Sequence, residues 1–97
     1  MRIEVTARHM ELTPPIQDYA EKRCDKLVKF FNGVLEFDVV IESERNDFKV
    51  EIIADVVGHK DLVAHAKGPD VYACIDEAAD KVARQLTDYK EQLRAHH

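Results

Sequence analysis

The stretch "VLEFDVVIESERNDFKVEIIADVVG", residues 34–58, decides the fold. Apolar and polar residues alternate through it, with the period of two that is typical of a β-strand with one buried face. The connection "RND", residues 45–47, is short enough for a hairpin, which makes the two strands antiparallel neighbours. The residues predicted to share the buried face are Leu35, Phe37, Val39 and Ile41, then Phe48, Val50, Ile52, Ala54 and Val56.

Two further strands have the same alternation. "RIEVTAR", residues 2–8, lies near the start of the chain, and "KDLVAHAKG", residues 60–68, follows the hairpin after the short connection "GHKD". Two other segments, 14–31 and 71–95, repeat apolar residues at helical spacing. Thr13 suits the N-cap of the first helix, Asn32-Gly33 a helix stop, and "GPD" (68–70) a break before the second helix.

The element order β-α-β-β-β-α predicts an α+β fold, a two-layer sandwich in which two helices cover one face of a four-stranded sheet. Residues 1–97 are expected to form one domain. The apolar stripe of the second helix is predicted to include Val71 and Leu93. The core is expected to include Ile3, Val5, Leu27, Phe31, Val39, Ile52, Ile75, Val82 and Leu86.

Composition narrows the function classes. The formal net charge is −5, which argues against a general nucleic-acid binder. No apolar run is long enough to span a membrane, and the start has no signal-peptide core, so a cytoplasmic location is expected. Cys24 and Cys74 lack zinc-ligand spacing and are interpreted as buried apolar residues.

The sequence contains no recognisable catalytic motif. Ser43 is the only serine, and neither a P-loop nor a GxGxxG motif occurs. The five histidines form no HExxH motif, although the terminal pair His96-His97 could bind a transition metal adventitiously. We therefore predict a protein that is not an enzyme and has no cofactor and no physiological metal site.

Charge is distributed unevenly. The two helical segments are together neutral, so the strands and loops carry the net charge of −5. On a wheel of about 3.6 residues per turn, the first helix sorts its charges, with Arg23 between the apolar stripe and the other cations. One flank carries Lys22, Lys26 and Lys29, and the other carries Asp18, Glu21 and Asp25.

The second helix is less sorted. Lys81 lies on a flank of its apolar stripe and Arg84 points away from it, with Glu77 and Asp88 nearby. Taken alone, these two cations fit ordinary solvent-exposed charges. Two helices lying side by side would nevertheless present one surface to a phosphate backbone, with the strand carboxylates on the opposite side.

Both helical segments resemble the corresponding helices of one protein family. "DVYACIDEAADKVARQLTDYK", residues 70–90, resembles the closing helix of the bacterial ribosome hibernation promoting factors, a family that includes the ribosome-associated inhibitor and was once labelled sigma-54 modulation protein. "ELTPPIQDYAEKRCDKLVKFF", residues 11–31, resembles the first helix of that family, including the "LT" cap and the Lys-Leu before an aromatic pair. The resemblance covers essentially the whole chain, whose length is similar to that of the short branch.

The resemblance implies a translation inhibitor that acts under stress or in stationary phase. Family members bind the small ribosomal subunit and its ribosomal RNA between head and body, block the messenger and transfer RNA sites at the decoding region, and promote ribosome hibernation. It also implies RNA contacts by the helix cations Arg23, Lys26, Lys81, Arg84 and Lys90; Lys22 and Lys29 are added from the helical wheel. The chain departs from the family pattern at Gln17 and Asp88, where a cation is expected.

Two alternatives remain from the residues. A double-stranded RNA-binding domain shares the α-β-β-β-α order, but such domains usually begin their last helix with lysines, and here that region is acidic. A protein-interaction module could use the open sheet face, where Val40, Ile53 and Val63 form a small apolar strip. Off the ribosome we expect a monomer, with neither DNA nor a membrane as partner.

Overall fold

The computed structural model describes residues 1–58 and 60–95. The expectations that involve His59, His96 and His97 therefore lie outside the described residues. Within the described helices, none combines the length and the hydropathy needed to cross a membrane. The elements are β1 (Arg2–Arg8), α1 (Pro14–Leu27), β2 (Val34–Glu44), β3 (Asp47–Val56), β4 (Lys60–Gly68) and α2 (Val71–Ala95).

The four strands form one sheet in the order β1-β2-β3-β4. β1 runs parallel to β2, because α1 carries the chain back to the same end of the sheet, and the other two pairings are antiparallel. α1 packs over β1 and against α2, and α2 packs over β3 and β4. The predicted α+β sandwich with both helices on one face is confirmed.

The core lies between the sheet and the helices. Its fully buried side chains include Phe37 and Ile41 of β2 and Val50 of β3. Of the predicted core residues, Ile3 and Val5 are half-buried and pack against it, because β1 is an edge strand. The others are buried, as predicted: Leu27, Phe31, Val39, Ile52, Ile75, Val82 and Leu86.

Two apolar residues were assigned to the buried face wrongly. Leu35 is 53% exposed, because the pairing of β2 with β3 shifts register between Val34 and Glu36 and turns Val34 inward instead. Leu93 is 40% exposed although it continues the apolar stripe of α2. Tyr89 is the last buried residue of that helix, so the final turn has no sheet beneath it.

The first helix is shorter than predicted, ending at Leu27 rather than at residue 31. The Thr13 cap is confirmed, since its hydroxyl accepts from the Ile16 N–H at 3.4 Å. Asn32-Gly33 does not stop the helix. Gly33 instead allows close packing, because a Cβ there would lie 2.8 Å from Cγ2 of Val57 and against the Phe31 ring.

Candidate nucleic-acid interface

The two helices contact each other through an ion-pair cluster between the C-terminal half of α1 and the N-terminal half of α2. Arg23 of α1 places Nη2 2.9 Å from Oδ1 of Asp80 and donates to the Asp76 carbonyl at 3.3 Å. Its Nε lies 3.1 Å from Oδ1 of Asp76, although the N–H is not aimed at that oxygen. With a side chain only 25% exposed, Arg23 joins the two helices and has its charge balanced by two carboxylates.

Tyr19 completes this cluster. Its hydroxyl donates to Oδ1 of Asp76 at 2.6 Å, and its ring packs edge-on against Tyr72. The hydrogen bond to Asp76, with a smaller effect of burial, raises the pKa of the Tyr19 hydroxyl above its usual value. Asp76 therefore accepts a hydrogen bond from Tyr19 and balances the charge of Arg23, and both of these residues belong to α1.

Two other predicted contact residues are also engaged. Lys22 lies 3.0 Å from the Asp18 carboxylate one turn earlier, in an exposed pair of the kind that contributes little to stability. Lys81 donates to the backbone carbonyl of His65 at 2.8 Å, on the flank of α2 that faces β4. Lys81 and the Asp76 carboxylate beside Arg23 thus lie on opposite flanks of α2.

The remaining predicted cations have no carboxylate partner among residues 1–58 and 60–95. They are Lys26, Lys29, Arg84 and Lys90, all exposed. Lys29 lies over the Phe30 ring, 5.2 Å from its centroid. Lys26 lies one turn after Lys22, which places these charges on the outer side of the helix layer toward the C-terminal end of α1.

Arg94 also has no carboxylate partner among residues 1–58 and 60–95, and it was not among the predicted contact residues. It lies 18 residues, about five helical turns, after Asp76, so it projects from the flank of α2 that faces α1. α1 ends at Leu27 and does not cover this part of the flank. Its spacing from Lys90, one helical turn, is the sequence signal that would add Arg94 to the candidate cations.

The match to known proteins agrees with this architecture. Residues 3–94 match the model of the family described as Sigma 54 modulation protein / S30EA ribosomal protein. The chain belongs to this family. A ribosome hibernation promoting factor of Klebsiella oxytoca is 36% identical to it, over 99% of this chain and 100% of the relative. One of Escherichia coli K12 is 31% identical, over 99% and 100%.

Two solved structures share the fold of this family member. The N-terminal domain of Thermus thermophilus Protein Y superposes with a TM-score of 0.84 at 30% identity, covering 92% of this chain and 99% of that one. A ribosomal subunit interface protein from Coxiella burnetii gives a TM-score of 0.87 at 20% identity, covering 94% and 99%. The second likeness concerns the fold alone.

The open face of the sheet has the opposite electrostatic character to the unpaired helix cations. Ligand oxygens of Glu4, Glu36 and Asp38 lie within 4.8 Å of one another, which concentrates negative charge on this face. Arg2 already lies 2.7 Å from Glu4 and 3.9 Å from Glu36, which offsets part of this charge. Strand carboxylates therefore gather on the face opposite the helices, whereas the charges of the two helical segments sum to zero.

The cysteines are placed as predicted, in the buried interior. Burial raises the pKa of the Cys24 thiol to about 12, and burial also raises that of Cys74. The thiolate, which is the nucleophilic form, is therefore strongly disfavoured at Cys24 near neutral pH. In this family member the cysteines pack the core rather than supply a reactive group.

Proposed function

We propose that this chain is a ribosome hibernation factor that binds the small ribosomal subunit at the decoding region and blocks the messenger and transfer RNA sites. The family match and the names of its relatives support ribosome hibernation as the process. The observation that carries the proposal is the group of unpaired cations on the helix layer, opposite an acidic sheet face.

Lys26, Lys29, Arg84, Lys90 and Arg94 are the proposed contacts to ribosomal RNA. A cation without a carboxylate partner exchanges only water and counterions when it meets a phosphate, and the released counterions favour binding. Arg23 would first have to leave Asp76 and Asp80. We therefore assign Arg23 mainly to positioning the two helices, and Lys22 and Lys81 to weaker contacts.

The charge distribution also supports a single orientation of binding. Phosphates attract the unpaired helix cations and repel the carboxylates of the sheet face, so the protein would dock with these cations toward the RNA. These phosphate contacts position the protein without reading sequence. Inhibition would follow from occupying a site on the ribosome, without a chemical step.

Ribosome co-sedimentation tests the proposal with two matched double variants. Lys26→Glu/Arg84→Glu reverses two unpaired helix cations, and Arg8→Glu/Lys49→Glu makes the same change in composition on the open sheet face. We expect the helix variant to weaken ribosome binding at least tenfold, about 1.4 kcal/mol or more, with a shallower dependence on salt. The sheet-face variant should bind like the parent chain.

Three outcomes would overturn the proposal. Loss of binding in the sheet-face variant alone would favour the protein-interaction module. Equal affinity of the parent chain for ribosomes and for a generic RNA duplex would favour a double-stranded RNA-binding domain. If chemical probing finds the bases of the decoding region equally protected with and without the protein, the contact lies elsewhere on the ribosome.

A further inference from the structure

β4 is an open edge of the sheet, pairing with β3 on one side only. An edge strand presents unpaired backbone groups to which another strand can bind. Here two side chains of α2, one turn apart, cover that edge. Lys81 donates to the carbonyl of His65 and Gln85 donates to the carbonyl of Val63, both at 2.8 Å.

These two carbonyls face the same way, because residues two apart on a strand repeat its hydrogen-bonding direction. They point to the open edge, where an added antiparallel strand would need them as acceptors. The two donors on α2 therefore occupy the positions that the N–H groups of an added strand would take.

The sequence of β4 is suited to pair with itself. In an antiparallel register centred on Ala64, Val63 lies opposite His65 of a second copy, and Asp61 lies opposite Lys67. Both charged residues are exposed on the open sheet face, and opposite charges directly across a strand pair stabilise it. The ion pair of Lys67 with Glu44 is long, at 3.7 Å, and exposed, so Lys67 can exchange partners.

We propose that Lys81 and Gln85 are edge guards that prevent β4 from pairing with β4 of a second copy of this chain. The central pairs of that register, Val63 with His65 and His65 with Val63, require the two carbonyls that the guards occupy. Removing the guards leaves these acceptors bonded only to water and available to the partner strand. The occupant is a second copy because the charges on β4 are self-complementary.

Sedimentation equilibrium of Lys81→Ala/Gln85→Ala tests this directly. We expect self-association to be at least about tenfold tighter than that of the parent chain. The matched control is Lys90→Ala/Gln92→Ala, which removes the same two residue types from exposed positions of α2 that make no hydrogen bond to β4 in the described chain. This control should associate no more than the parent.

The register is tested by reversing charge on β4 in the unguarded chain. Adding Asp61→Lys places lysines opposite each other and should return the protein to monomer, and adding Lys67→Asp as well should restore the dimer. A guard variant that stays monomeric, with an unchanged circular dichroism spectrum, overturns the proposal. Self-association that is unchanged by the substitutions at Asp61 and Lys67 also overturns the proposal. The single variants, each retaining one guard, should associate to an intermediate extent.

Discussion

The two ends of the helix layer carry similar cations with different partners. At the paired end, Lys22 lies beside Asp18, and Arg23 lies between Asp76 and Asp80. At the unpaired end, within the described part of the chain, no carboxylate contacts the cations. This end consists of Lys26, Lys29, Arg84, Lys90 and Arg94.

The comparison shows that the partner of a cation, more than its residue type, determines what the cation can do. A carboxylate that already balances Arg23 competes with any phosphate, so moving this guanidinium to RNA would leave two aspartates unbalanced. A lysine at the unpaired end has no such competitor. The paired end is thus suited to fix the spacing of the helices, and the unpaired end to bind a polyanion.

The largest expected effect is that of Arg23→Glu on stability. The change places a third carboxylate against Asp76 and Asp80 in a position that is three-quarters buried. We expect it to lower the free energy of unfolding by about 2 kcal/mol, because it removes a partly buried pair and adds repulsion. The melting temperature should then fall by about 10 °C in a domain of this size.

Lys26→Glu is the matched control, since it makes the same charge change on the same helix, three residues later. It should alter the free energy of unfolding by about 0.5 kcal/mol or less, because the side chain is exposed and unpaired. Thermal melts at one ionic strength compare the two variants. Equal melting temperatures would show that the paired end does not hold the helices together.

The second prediction concerns alkaline pH, which should act on Tyr19 in the ion-pair cluster and on Cys24 in the core beneath it. The hydrogen bond to Asp76 raises the pKa of Tyr19, and burial raises the pKa of Cys24 to about 12. Because both folded-state pKa values exceed the unfolded ones, their stabilising effect is complete at neutral pH and is lost as pH rises, above about 9 for Cys24 and above about 10 for Tyr19. For Cys24 the loss between pH 8 and pH 10 is about 1 kcal/mol.

Melting curves recorded from pH 8 to pH 11 measure this loss. Cys24→Ala should lower stability at pH 8 but flatten its decline up to pH 10, whereas Tyr19→Phe should flatten the decline above that pH. Neither change should affect the salt dependence of ribosome binding, which we propose depends on the unpaired end. A decline that is identical in all three proteins would contradict this assignment.

The sequence predicted the sheet and the outward direction of the cations, because both follow from local periodicity. Alternation predicted the bounds of β2 correctly, and the wheel placed Arg23 between the apolar stripe and the outer lysines. The exposure of Leu35 depends on a register shift between two strands, and that of Leu93 on where the sheet ends beneath α2. These are properties of the assembled layers rather than of one segment.

For a similar reason, the sequence could not predict which groups pair with the cations. The pairs of Arg23 with Asp76 and Asp80 join residues more than fifty positions apart, and they depend on which flank of α2 faces α1. The contact of Lys81 with the His65 carbonyl depends on β4 being an edge strand. Helical periodicity orders charges around each helix but does not set the rotation of one helix against the other.

The smallest expected effect tests the unpaired end by adding a charge to it. Asp88 is exposed on α2, one turn after Arg84, and forms no ion pair in the described part of the chain. Asp88→Lys should tighten ribosome binding about threefold to tenfold at low salt and steepen the logarithmic salt dependence by about 0.9 if the new lysine meets one phosphate. Asp61→Lys makes the same charge change on the open sheet face, with both edge guards still in place, and should leave the salt slope as it is. Co-sedimentation across a salt series separates a direct phosphate contact from a general attraction by net charge. A direct contact at position 88 steepens the salt dependence for Asp88→Lys but not for Asp61→Lys. Equal tightening by the two variants would mean that net charge alone governs binding, and the distinction between the paired and unpaired ends would then have no bearing on the ribosome.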